Sequence, residues 1–144
     1  MALGSNTIPI LLERTRDVAP EVRKEVYKAF LKGPLDILKS AQMINLLQNG
    51  IYDRDPKVVK HCHKLVQKYA AHKGLLPFLH SLDPQKNQKL IEKLILFLVA
   101  EPQFDLSAVE PLVEYAVEYN ILRRVFIQCA FDAEVSHSYL PSYC

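Results

Sequence analysis

The chain has 144 residues, enough for one domain with a hydrophobic core, and its 49% hydrophobic and 24% charged residues are ordinary for a soluble globular protein. The charge is uneven: residues 1–100 hold 16 Lys and Arg against 9 Asp and Glu, and residues 101–144 hold 2 against 7. This asymmetry predicts an anionic partner for the first part, either nucleic acid or an acidic peptide, although ordinary solvated faces would also produce it.

Secreted and membrane classes are not expected. The N-terminus lacks a charged leader followed by an apolar core, and the longest apolar run, Leu94 to Ala100, is too short to span a bilayer. The cysteines, Cys62, Cys129 and Cys144, form an odd and scattered set, which indicates a reducing compartment.

Nearly the whole chain has the apolar periodicity of helices. Gly33, Gly50 and Gly74 fall between periodic segments, where helices stop, and Ser40 is placed to cap the third helix. We predict helices over residues 8–16, 20–32, 40–50, 56–71, 75–82, 84–100, 106–120 and 121–131, and an irregular tail over residues 132–144.

The chain repeats itself at an interval of 36 residues. The segment that begins Asp17-Val-Ala-Pro aligns with the segment that begins Asp53-Arg-Asp-Pro, and each leads into a helix with the same apolar pattern. Helical pairs at this period predict an all-α fold, a HEAT-type α-solenoid of three to four pairs over residues 1–131. The aspartate of each turn can accept hydrogen bonds from amides at the start of the second helix.

Two lysine ladders follow the same interval. Spacing by four places each trio on one side of its helix, opposite the apolar side, and second helices of such pairs usually line a concave groove. The trios are Lys24, Lys28 and Lys32, then Lys60, Lys64 and Lys68, and Lys57 and His61 join the second. Glu21 and Glu25 dilute the first face, whereas no acid lies between Lys57 and Lys73. Such a strip suits phosphates, which lysines contact without recognising bases, but exposed lysines also serve solubility.

Catalytic and metal chemistry is not predicted. Adjacent helical residues point about 100° apart, so His61, Cys62 and His63 cannot converge on one ion. No glycine-rich phosphate loop is present, and Cys129 has no histidine beside it. We expect no enzyme and no cofactor. The Glu110, Glu114 and Glu118 ladder is interpreted as a solvated face.

The stretch from Leu11 to Ala71 resembles the CAP-G subunits of condensin. The resemblance rests on the segments LLERTRDVAPEVRK (11–24) and AQMINLLQNGIYDR (41–54), and Leu79 to Asp83 resembles the next repeat of that family. The family's chains are several times longer, and Met43 stands where they usually have arginine.

The resemblance implies a non-catalytic HEAT-repeat subunit that binds double-stranded DNA in a basic groove, together with the kleisin and other condensin subunits. It further implies mitotic chromosome condensation, in the nucleus and on chromosomes as well as in the cytoplasm, with no membrane contact. Arg23 and Arg54 are equally suited to an aspartate of the neighbouring repeat. With the ladders included, the candidate DNA contacts are Arg14, Arg16, Arg23, Lys24, Lys28, Arg54, Lys57, Lys60, Lys64 and Lys68. The competing hypothesis is a scaffold whose groove binds a partner peptide without nucleic acid.

Overall fold

The structure, a computed structural model, describes residues 6–34, 36–102, 104–119 and 121. The chain divides into two compact units, Met1–Leu82 and Asp83–Cys144. Within the described residues there are seven α-helices, one 3-10 helix and no strand, so the predicted all-α class is confirmed.

The first unit contains five helices whose bounds lie within two residues of those predicted. They are α1 (Ile8–Arg14), α2 (Pro20–Lys32), α3 (Ser40–Ile51), α4 (Pro56–Lys73) and α5 (Leu75–His80). The predicted cap at Ser40 is wrong, because Lys39 is the N-cap and Ser40 is already helical. The side chain of Gln42 accepts the Lys39 amide at 3.0 Å instead.

The second unit contains α6 (Gln88–Ala100), a 3-10 helix (Leu106–Ala108) and α7 (Val109–Glu118). The expected start of α6 at Pro84 is wrong. Asp83 has a φ of 52°, and its carbonyl accepts the amides of Lys86 and Asn87 in a turn that precedes the helix. Apart from Ile121, the helix predicted over 121–131 and the tail predicted over 132–144 lie outside the described residues.

In the first unit, α1 and α2 form one contacting pair of helices, and α3 and α4 form the next. Helix α1 contacts α2 and α3, helix α3 contacts α4, and α2 makes its most extensive contact with α4. The 36-residue interval predicts that the second helices of the two repeats are neighbours, and this is confirmed. The core that α2, α3 and α4 share is fully buried and includes Tyr27, Phe30, Leu46, Leu47, Val58, Cys62, Leu65 and Tyr69.

Gly50 is needed where α3 approaches its neighbours, and not as a helix stop. The helix continues through Gly50 to Ile51. A Cβ atom at this position would lie 2.6 Å from the Cys62 sulfur and 2.7 Å from Cζ of Tyr27. The glycine therefore permits the tight contact of α3 with α4 and with the Tyr27 ring.

Gly50→Ala tests this close approach. Although alanine favours helix, we expect the clash with Cys62 and Tyr27 to lower the free energy of unfolding by about 1–3 kcal/mol. Urea denaturation followed by circular dichroism measures it. Ala41→Ser at an exposed position of the same helix is the control, with a change within about 0.5 kcal/mol. A Gly50→Ala protein as stable as the wild type would contradict the close approach.

Candidate nucleic-acid interface

The two equivalent turns each fold around an aspartate. Asp17 Oδ1 accepts the amide of Ala19 at 2.9 Å, and Asp53 Oδ1 accepts the amide of Asp55 at 2.8 Å. Each accepted amide belongs to the residue just before the helix, so the aspartates shape the turns and do not cap the helices themselves. Asp55 caps α4 by accepting the amide of Lys57 at 2.8 Å.

Arg23 connects these two turns. Its Nε and Nη2 donate to the Asp53 carboxylate at 2.8 and 3.1 Å, and its Nη1 donates to the Asp17 carbonyl at 2.8 Å. Arg23 is 6% exposed, and the hydrogen bond to Asp53 raises its pKa above the ordinary value. Of the two roles open to Arg23, this geometry favours the structural one, because its guanidinium is already occupied within the protein.

The far end of the α2–α4 contact is also held by α4 side chains. Lys68 Nζ donates to the carbonyl of Leu31 in the last turn of α2, where helix carbonyls lack partners. His72 Nε2 lies 3.1 Å from Asp36, just beyond α2. Lys68, a candidate DNA contact, is therefore half-buried and engaged with α2.

The α2 ladder is partly neutralised by acids of its own helix. Lys24 Nζ lies 2.8 Å from Glu21, and Lys28 Nζ lies 3.4 Å from Glu25. The hydrogen bond with Lys24 lowers the pKa of Glu21, and the charge of Lys57 adds to this. Both helices therefore contribute positive charge near Glu21, in agreement with the contact of α2 with α4.

The α4 ladder keeps its charge on the surface. Lys57, Lys60 and Lys64 are exposed, and within the described residues none of them forms an ion pair. His61, between them, is half-buried and donates from Nδ1 to the Lys57 carbonyl at 2.8 Å. Helix α4 itself has no acid between Lys57 and Lys73, so this acid-free face of α4 is strongly basic.

Two more candidates, Arg16 and Arg54, are exposed at the turns. They border a shallow depression of about 280 Å³, beside the half-exposed ring of Tyr52. The Asp53 carboxylate beneath is already neutralised by Arg23. Arg16 and Arg54 can contact an anionic group at the rim of this depression, which the Asp17 carboxylate also lines. Arg14 is exposed too, but it lies on α1 with Nη1 3.9 Å from Asp17.

A larger groove of about 520 Å³ lies between α1 and α2. Its floor is apolar, and Arg14, Lys28, Lys32 and Glu25 border it. Ile10 is 55% exposed within it, which is unusual for so large an apolar side chain.

In the described part of the chain, no group of three His, Cys, Asp or Glu residues is placed to hold an ion. Cys62 lies in the core, and burial raises its pKa to about 12, so its thiol is protonated at neutral pH. No helix among the described residues is long and apolar enough to cross a membrane.

Comparison with known proteins gives no relative: no family model, no curated protein and no solved structure matches the chain. The geometry of the first unit therefore carries the functional argument.

The Arg23–Asp53 pair gives a stability test. Arg23→Met leaves the buried Asp53 carboxylate without its cationic partner, and Asp53→Asn leaves the buried Arg23 guanidinium without its anionic partner. Each change should therefore lower the free energy of unfolding by roughly 3 kcal/mol. The double variant should lose less stability than the two single variants lose together, by at least about 1 kcal/mol. The reason is that the second change removes a charge that the first change has left unpaired.

Chemical denaturation of the four proteins measures this coupling. Arg16→Met is the control. It removes an exposed arginine beside Asp17 and should change the free energy of unfolding by less than about 0.5 kcal/mol. Strictly additive single and double variants would show that the two side chains do not act as a pair.

Proposed function

We propose that this chain is a non-catalytic, condensin CAP-G-like HEAT-repeat segment that binds double-stranded DNA without sequence preference. Its HEAT-type α-solenoid consists of three to four helical pairs. The stacking of α2 on α4 and of α1 on α3 supports this arrangement, because each pair covers an apolar face that its neighbour cannot bury alone.

The acid-free face of α4 is the observation that carries the proposal. Lys57, Lys60 and Lys64 follow one another at about one helical turn, each exposed and without an ion pair among the described residues. A turn rises 5.4 Å, so the three amino groups form a row along one side of the helix. Such a row can contact consecutive phosphates while reaching no base.

Other basic residues extend this surface unequally. Arg16 and Arg54 at the turns are exposed and take further phosphates. Lys24 and Lys28 exchange Glu21 and Glu25 for phosphate at small cost, because exposed ion pairs contribute little to stability. Arg23 and Lys68 act indirectly, since they hold α2 and α4 together.

The resemblance to CAP-G extends the proposal to a biological setting. The chain works with a kleisin and other condensin subunits in mitotic chromosome condensation, in the nucleus and on chromosomes with a cytoplasmic pool. The scaffold hypothesis is the second candidate, and the exposed apolar groove between α1 and α2 favours it.

A labelled 25-base-pair duplex, titrated with the full chain over a salt series, tests the proposal. Fluorescence anisotropy should give binding that weakens with salt, with a slope of about −4 to −5 in log K against log [salt] if the three lysines, Arg16 and Arg54 neutralise phosphates. Each lysine of the α4 face changed to Glu should reduce the slope by about 1.

The Lys57→Glu/Lys60→Glu/Lys64→Glu variant should lose nearly all binding. Lys86→Glu/Lys89→Glu/Lys93→Glu in the second unit changes the net charge equally and serves as the matched control, with circular dichroism to confirm that both fold. Equal losses in the two variants would mean that overall charge, and not the α4 face, attracts DNA. Absence of salt-dependent binding by the wild type would overturn the proposal.

A further inference from the structure

The groove between α1 and α2 is the repeat equivalent of the surface of α3 and α4 on which α2 packs. Subtracting 36 from four buried residues of α3 and α4 gives residues that line the groove. Leu46, Leu47, Val58 and Leu65, all fully buried, correspond to Ile10, Leu11, Val22 and Ala29. These groove residues are half-buried or exposed, and among the described residues no helix packs on them as α2 packs on α4.

The polar contacts of the α2–α4 interface have equivalents at the groove as well. Asp17 corresponds to Asp53, the acceptor of Arg23, and has the same turn geometry. It holds only a loose contact with Arg14, at 3.9 Å. Lys32 corresponds to Lys68, which donates to the carbonyl of Leu31, and Lys32 is exposed at the rim.

We propose that the groove is a docking site for a partner's amphipathic helix, which packs on α1 and α2 as α2 packs on α3 and α4. The helix carries an arginine that pairs with Asp17, and eight residues later a carbonyl in its last turn that accepts from Lys32. This spacing equals that of Arg23 and Leu31 in α2. Apolar side chains between them fill the 520 Å³ groove.

One difference between the two sites specifies the partner further. Gly50, against which the Tyr27 ring packs, corresponds to Arg14 in the groove. A tyrosine four residues after the arginine would meet the Arg14 side chain, so the docking helix has a small residue there. Ala29 replaces Leu65, and this leaves room for a larger apolar side chain opposite it.

The probe is a synthetic peptide with the sequence of residues 17–34 and Tyr27→Ala. A hydrocarbon staple between positions 21 and 25, both exposed in α2, holds it helical. Anisotropy of the fluorescein-labelled peptide should show saturable binding to the full chain. An Arg23→Glu peptide should bind at least about tenfold more weakly, as expected for loss of a desolvated charge pair.

Variants of the full chain locate the site. Asp17→Lys should weaken the arginine peptide and restore the Arg23→Glu peptide, a reversal that a general loss of folding would not produce. Ala29→Arg blocks the apolar floor without changing either turn and should abolish binding of both peptides. The Lys57→Glu/Lys60→Glu/Lys64→Glu variant should bind the peptide as the wild type does, which separates this site from the proposed DNA surface.

Failure of the stapled peptide to bind would overturn the docking proposal. So would binding that is indifferent to both Asp17→Lys and Ala29→Arg, because the peptide would then occupy another surface. Either result would leave the DNA proposal standing, because the α4 face that carries it lies outside the groove.

Discussion

The buried contact of Arg23 with both turns fixes the first unit. One guanidinium donates to the Asp53 carboxylate and to the Asp17 carbonyl, and so joins the start of α2 to the start of α4. A planar group with five donors can do this, whereas lysine, with one charged centre, cannot satisfy both turns. Lys68 and His72 hold the opposite end of the same contact. The two helices are therefore positioned at both ends, and the apolar side chains fill the space between.

This constraint determines which basic residues remain available to a ligand. Arg23 and Lys68, which hold α2 and α4 together, bond within the protein. Lys57, Lys60 and Lys64 on α4 face solvent. The strip anticipated along both helices is thus reduced to an uneven surface: a continuous row on α4, a partly neutralised row on α2, and two arginines at the turns. The lysine row of α4 lies outside the proposed helix-docking groove, whereas Lys28 borders that groove and Asp17 lies beside Arg16 and Arg54.

Periodicity and repeat spacing were sufficient to predict the helices of the first unit, the α2–α4 contact and the burial of Val58, Cys62, Leu65 and Tyr69. They could not predict the burial of Arg23 or Tyr27, because these polar side chains reach their partners, Asp53 and the Leu46 carbonyl, across other elements. The Asp–Arg pairing was one of two open roles for Arg23, and only three-dimensional proximity decides between them. Gly50 was misjudged for the same reason, since a close approach between helices leaves no local signal in sequence.

The central claim is that the α4 face, and not overall basicity, meets a phosphate backbone. Side-chain amino signals of individually assigned lysines, followed by NMR as duplex DNA is added to the full chain, test it most directly. Lys57, Lys60 and Lys64 should shift with a common affinity that falls as salt is raised. Lys68, engaged with the Leu31 carbonyl, should shift less. Uniform small shifts over all lysines, or shifts confined to the second unit, would contradict the account.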